Sequence, residues 1–158
     1  MKGNQKVIEQ LNSALSSELT AIVQYMVQAE TLQNQGYERL GGLLKQRAVE
    51  EMQHAERLIE RIVFFDSQPK VDVALTPQIS GNVQQQLEVD FKDEADAIHT
   101  YNAAIQVCTE ALDDGSKELF KGLLLDEEKH ADFLEAQLTA IQAIGIGNYL
   151  AQQIHASR

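Results

Sequence analysis

The chain has 158 residues, 44% of them apolar, with two Pro, nine Gly and one Cys. One cysteine, Cys108, excludes an intrachain disulfide framework and a Cys-rich zinc or iron–sulfur site, and the low Pro and Gly content excludes a disordered or collagenous chain. With 24 acidic against 13 basic residues the net charge is −11, which argues against a nucleic-acid-binding face and favours attraction of cations.

The opening Met1-Lys2-Gly3-Asn4-Gln5-Lys6 leads into an amphipathic pattern instead of a signal-type apolar run, and no 18-residue apolar stretch follows. The reading is therefore a cytoplasmic protein with no membrane segment. Over 4–34, Ile8, Leu11, Leu15, Leu19, Ile22, Met26 and Ala29 recur at helical spacing, and Gly36 stops the pattern. A second helix is expected over 38–65, carried by Leu40, Leu44, Ala48, Ala55, Leu58 and Ile62, ahead of Pro69. Residues 66–81 are irregular. Asn82 and Gln85 read as a capping box opening a third helix over 82–111, through Leu87, Phe91, Ile98 and Ile105. Asp113-Asp114-Gly115-Ser116 reads as a turn, followed by a fourth helix over 116–144. Gly145 and Gly147 are expected to break it before a short fifth helix over 148–155. Helices near 30 residues would each span about 45 Å. Short turns after the first and third make antiparallel hairpins. The long 66–81 link lets the third helix run parallel to the second. The expected fold is all-α: one domain over 1–158, a four-helix bundle with one long crossover and a short C-terminal fifth helix.

The two hairpins repeat at an offset of 76 residues. Leu11 matches Leu87, Glu18 matches Glu94, Tyr25 matches Tyr101, and Glu51-x-x-His54 matches Glu127-x-x-His130. Each Glu-x-x-His places a carboxylate and an imidazole one turn apart on one helix face. All six residues fall inside apolar stripes, where bare charges would each cost several kcal/mol. Arg47 is the one basic residue near those stripes. Two divalent cations would balance four carboxylates. Glu18, Glu51 and His54 would take one ion, Glu94, Glu127 and His130 the other, with Glu51 and Glu127 as bridges. Imidazole and carboxylate without thiolate suit iron or manganese. Asp90, one turn before Glu94, is placed to hold the free nitrogen of a ligand histidine. Tyr25 and Tyr101 lie two turns beyond the terminal glutamates. Tyr25 could hydrogen-bond a ligand or donate an electron, whereas Tyr101 reads foremost as a core tyrosine.

The first hairpin carries an outer apolar stripe that its twin lacks: Leu19, Val23, Met26, Val49, Met52, Ile59 and Val63. A second copy of the chain about a twofold axis is the simplest cover. Met52 in mid-stripe either packs or, paired across the dyad, offers thioethers to a haem iron.

These residues carry a resemblance. Glu18-Leu19-Thr20-Ala21-Ile22 with Gln24-Tyr25, Glu50-Glu51-Met52-Gln53-His54-Ala55-Glu56, Asp126-Glu127-Glu128-Lys129-His130 and Gly147-Asn148-Tyr149-Leu150 resemble the bacterioferritins of the ferritin-like superfamily. The resemblance implies ferroxidase activity, with Fe(II) oxidised by O2 or hydrogen peroxide at a di-iron centre of two iron ions per subunit. It implies a 24-subunit homo-oligomeric shell that stores the mineral. It also implies haem b shared between two subunits through Met52, with Leu19, Val23 and Met26 around it, and iron release by an iron–sulfur ferredoxin. Glu50 is the candidate for an inner-surface iron, although Lys45-Gln46-Arg47 stands where many family members carry Tyr-His-Glu. No Trp is present to carry electrons. The alternatives are a rubrerythrin-like di-metal peroxidase, which the absence of a Cys-x-x-Cys module disfavours, and a haem-binding shell protein with a weak ferroxidase site.

Overall fold

A computed structural model describes residues 1–73, 76–77 and 81–155, and five helices lie among those described residues. Helix α1 (Gln5–Asn34) starts where the Asn4 side chain accepts the Lys6 amide at 2.9 Å. It ends at Gly36, whose φ of 89° suits a residue without Cβ. Helix α2 (Glu38–Phe64) closes through Asp66 at φ 54°. The crossover then passes α1, where the Lys70 amide donates to Asn12 Oδ1 at 2.7 Å. Asn82 caps α3 (Val83–Glu110) by accepting the Gln85 amide at 2.9 Å, as the sequence suggests.

Two helices, α4 and α5, differ from the sequence expectation by more than one residue. Helix α4 (Asp114–Ile144) begins before Ser116 because Asp113 is the cap: its carboxylate accepts from the Ser116 amide at 2.9 Å, so Asp114 and Gly115 are already helical. Helix α5 is Ile146–Ala151 instead of 148–155. Gly145 alone makes the break, at φ 79° and ψ 153°, and Gly147 lies inside the new helix. Tyr149 anchors α5, buried and donating to Gln137 Oε1 at 3.0 Å. The chain beyond is held to the α2 start by the Arg39 amide on the Gln153 carbonyl, 3.0 Å.

Helix directions follow from cross-bundle contacts. Tyr25 meets Glu94 and Glu18 meets Tyr101, so α1 and α3 are antiparallel. With α1 and α2 joined as a hairpin, α2 and α3 run parallel. The fold is thus a four-helix bundle with one long crossover between α2 and α3. No helix among the described residues is long and apolar enough to cross a membrane.

The core is in two parts. One cluster gathers Val7, Leu11, Leu15, Leu58, Ile62, Phe120 and Leu123; the other gathers Ala29, Leu32, Leu40, Leu44, Leu87, Leu134 and Ile141. On every long helix the residues between these clusters are the acids and imidazoles of the repeat. Apolar packing at both ends therefore locks the four helices against each other around a buried polar layer.

Candidate metal centre

The polar layer is built from one residue on α1, two on α2, one on α3 and two on α4. Glu18, Glu51, His54, Glu94, Glu127 and His130 are all buried. They fall into two overlapping groups, Glu18–Glu51–His54–Glu127 and Glu51–Glu94–Glu127–His130, each with ligand-type atoms within 4.8 Å of one another. Glu51 and Glu127 belong to both, which is the arrangement expected of bridging carboxylates. His54 Nδ1 lies 3.0 Å from Glu51 Oε2 and 3.1 Å from Glu127 Oε1. His130 Nδ1 lies 3.0 Å from Glu51 Oε1 and 2.8 Å from Glu127 Oε2. The two rings stack nearly parallel, centroids 5.9 Å apart.

The outer nitrogens of both rings face acids: Glu50, which the sequence offers as an inner-surface iron ligand, and Asp126, which it does not single out. His130 Nε2 is 3.1 Å from Glu50 Oε2, and His54 Nε2 is 3.4 Å from Asp126 Oδ2. Each histidine is held by the acid that precedes the bridging glutamate of the other hairpin. Glu50 and Asp126 are themselves 76 residues apart, so the repeat carried the signal. Asp90 does not take this role. It lies one helical turn, about 5.4 Å, from Glu94 along α3, in the layer below. There its Oδ1 accepts from Gln28, Gln24 and Gln86 at 2.7, 3.0 and 3.2 Å.

Both tyrosines reach the centre, and they cross. Tyr25 on α1 donates to Glu94 on α3 at 2.5 Å, and Tyr101 on α3 donates to Glu18 on α1. Seven residues separate Glu from Tyr on each helix. In an antiparallel pair, each hydroxyl therefore meets the other helix's glutamate. Tyr101 is more than the core tyrosine the sequence suggested.

Comparison with known proteins places the chain. Residues 8–144 match the ferritin-like domain family. The chain is 44% identical over 149 residues to the bacterioferritin of Brucella melitensis biotype 1, covering 94% of this chain and 92% of that protein. It is 39% identical over 145 residues to the bacterioferritin of Rhodobacter capsulatus, covering 92% and 90%. It is 34% identical over 152 residues to that of Mycolicibacterium paratuberculosis, covering 96% of each. The chain belongs to the bacterioferritins.

The electrostatics of this bacterioferritin site are those of a cluster that wants cations. Burial is the main force holding Glu51 and Glu94 well above the carboxylate range, and neighbouring carboxylates add to it. Glu127 is raised by burial too, against the hydrogen-bonding pull of His54. Burial alone would lower His54, but Glu127, Glu18 and Glu51 reverse it and raise the imidazole. Burial, with Glu94 or Glu18 beside them, likewise raises Tyr25 and Tyr101. Both Glu51 oxygens, Glu127 Oε2 and both histidine Nδ1 atoms are buried without a hydrogen-bond partner. Glu50 beside His130 Nε2 accepts that nitrogen's proton, which leaves His130 Nδ1 facing the bridging carboxylate oxygens from 2.8 and 3.0 Å. Such an array fits divalent cations between those atoms.

The remaining predicted residues lie elsewhere. Val23, Met26, Val49 and Val63 are exposed on the outer face of the first hairpin, with Leu19 and Ile59 half-buried among them. Met52, 54% exposed, is in their midst. Glu50 joins neither metal group. Its Oε1 accepts from Gln46 at 3.1 Å and its Oε2 from Arg47 at 2.8 Å. Lys45 reaches back to Glu30 on α1, 3.2 Å away.

Proposed function

We propose that this chain is an iron-storage subunit with ferroxidase activity. The observation that carries the reading is the set of buried, partnerless oxygens and nitrogens facing one another at the bundle centre. Fe(II) is the substrate. Two ions together give up two electrons, enough to reduce one hydrogen peroxide to water with two protons.

The chain's own groups do the rest. Glu18 and Glu94 each hold one ion from α1 and α3. Glu51 and Glu127 bridge, and His54 and His130 supply one nitrogen apiece. Tyr25 and Tyr101 fix one oxygen of each terminal glutamate. The raised carboxylates hold protons before iron arrives and release them as it binds, so uptake strengthens as pH rises. The test is rapid mixing of Fe(II) and O2 with wild type and Glu18→Ala. Loss of the fast oxidation phase in the variant is the expected result. An unchanged fast phase would remove this site from the reaction.

The finer features implied by the family belong to the same proposal. A second copy covers the Met52 face and the two Met52 thioethers bind a haem b iron between them, within a cytoplasmic 24-subunit shell served by an iron–sulfur ferredoxin. An exposed thioether inside an apolar stripe supports this, since such a face needs cover. Haem added to the purified protein should give a bis-thioether absorption band that Met52→Leu abolishes. The same band in the variant would reject the assignment. Sedimentation mass tests the shell.

A further inference from the structure

Arg47 has no counterpart in the second hairpin. The matching residue is Leu123, buried in the apolar core. Arg47 instead reaches across from α2 to α4. Its Nη1 donates to Glu50 Oε2 at 2.8 Å, and its guanidinium lies over the Phe133 ring, 5.6 Å from the centroid. The same Glu50 oxygen meets His130 Nε2 at 3.1 Å, while Gln46 donates to the other oxygen. Glu50 is thus oriented by three groups from two helices.

The tether on His54 is longer and its acid is less firmly held. Its oxygen, Asp126 Oδ2, is 3.4 Å away. Asp126 is paired with Lys129, a flexible side chain 74% exposed, whereas the Arg47 side chain is 14% exposed. Guanidinium on carboxylate also gives a more directional pair than an ammonium does.

We propose that Arg47 and Glu50 form a clamp that fixes His130 for metal binding and makes the Glu94–His130 position the tighter of the two. The proposal rests on the di-metal reading above. A carboxylate accepting the Nε2 proton fixes the tautomer and the ring orientation, and raises the basicity of Nδ1. Loss of such a partner typically costs 10–100-fold in metal affinity. Arg47 and Glu50 are positioning residues here. On this account Glu50 works through His130 and is not itself an iron ligand on the inner surface.

The probe is Co(II) under anaerobic conditions, followed by its optical spectrum. Anomalous diffraction at one Co(II) per chain then resolves which position fills. Wild type should fill Glu94–His130 first. Arg47→Ala and Glu50→Gln should weaken that position at least about tenfold, so that the Glu18–His54 position fills first. Affinity at Glu18–His54 should stay unchanged, which also shows that the variants fold. Arg47→Lys should recover part of the loss. Wild-type filling order in Arg47→Ala would overturn the clamp while leaving the di-metal reading intact. A third Co(II) at a freed Glu50 would also overturn it, in favour of a ligand role. If wild type bound no Co(II), the di-metal reading would fail and the clamp with it.

Discussion

Replacing Asp90 with Asn should stabilise the metal-free protein, by an amount that depends on pH. Asp90 is fully buried, and burial pushes its carboxyl from the ordinary 3.8 up to about 6 despite three glutamine donors; Asp93 adds a little more. A carboxyl raised in the folded state favours folding at low pH, and that advantage is lost as pH rises from the unfolded value through the folded one. The gap from 3.8 to about 6 corresponds to about 3 kcal/mol of destabilisation at pH 8 and about 1 kcal/mol at pH 4.5. Asn is isosteric and carries no charge. Its carbonyl can still accept from the glutamines. Its amide offers donors where Asp90 Oδ2 and Gln28 Oε1 now lie buried without partners. The assay is thermal unfolding in chelator at both pH values. For a chain of this size about 3 kcal/mol is about 6–12 °C in midpoint, so Asp90→Asn should melt that much higher at pH 8 and only a few degrees higher at pH 4.5. A variant that melts lower at pH 8, or by the same margin at both pH values, would refute the reasoning.

Three further outcomes rest on the same cluster. Metal-free protein should lose stability between pH 5 and pH 8, because Glu51, Glu94, Glu127 and His54 are all raised and so bind more protons folded than unfolded in that window. Asp113, Asp126 and Glu118 are lowered and act below about pH 4.5, outside it. Saturating Zn(II) should restore more stability at pH 8 than at pH 5, because binding displaces those protons; a metal-free midpoint that rises with pH would count against it. Tyr101→Phe should weaken Co(II) at the Glu18–His54 position about tenfold, whereas Tyr25→Phe should weaken the Glu94–His130 position. If Tyr25→Phe instead affects Glu18, its neighbour on α1, the crossed pairing is wrong.

The bundle and the six inward residues were legible because they rest on periodicity. Apolar spacing marks helices to within a residue or two at most ends, and the 76-residue repeat isolates the polar positions that both hairpins keep. The errors have local causes. The α4 start moved because an aspartate that reads as a turn residue is also a good cap. The α5 start moved because only one of the two glycines adopts a positive φ. At Asp90, i,i+4 spacing gives the level on α3 but not the neighbours, Gln24 and Gln28, that α1 brings to it. The tethers on the histidines were missed for the same reason, since Glu50 and Asp126 act across helices.

Each supporting contact at the centre is made to the opposite hairpin. Tyr25 holds Glu94, Tyr101 holds Glu18, Glu50 faces His130 and Asp126 faces His54. Neither hairpin alone could orient its own set, since the partner hairpin carries the groups that do so. A doubled sequence therefore makes one centre instead of two. Within that frame the outer faces are free to diverge: the first hairpin keeps an apolar face around Met52, while the matching positions of the second include His99, Glu128 and Glu135. Arg47 is where divergence reaches inward, because it couples one tether to Phe133 and leaves the other on a solvent lysine. A centre with near-twofold ligands but unequal tethers should bind two identical ions unequally, and the order of filling reports which half the sequence has made the stiffer.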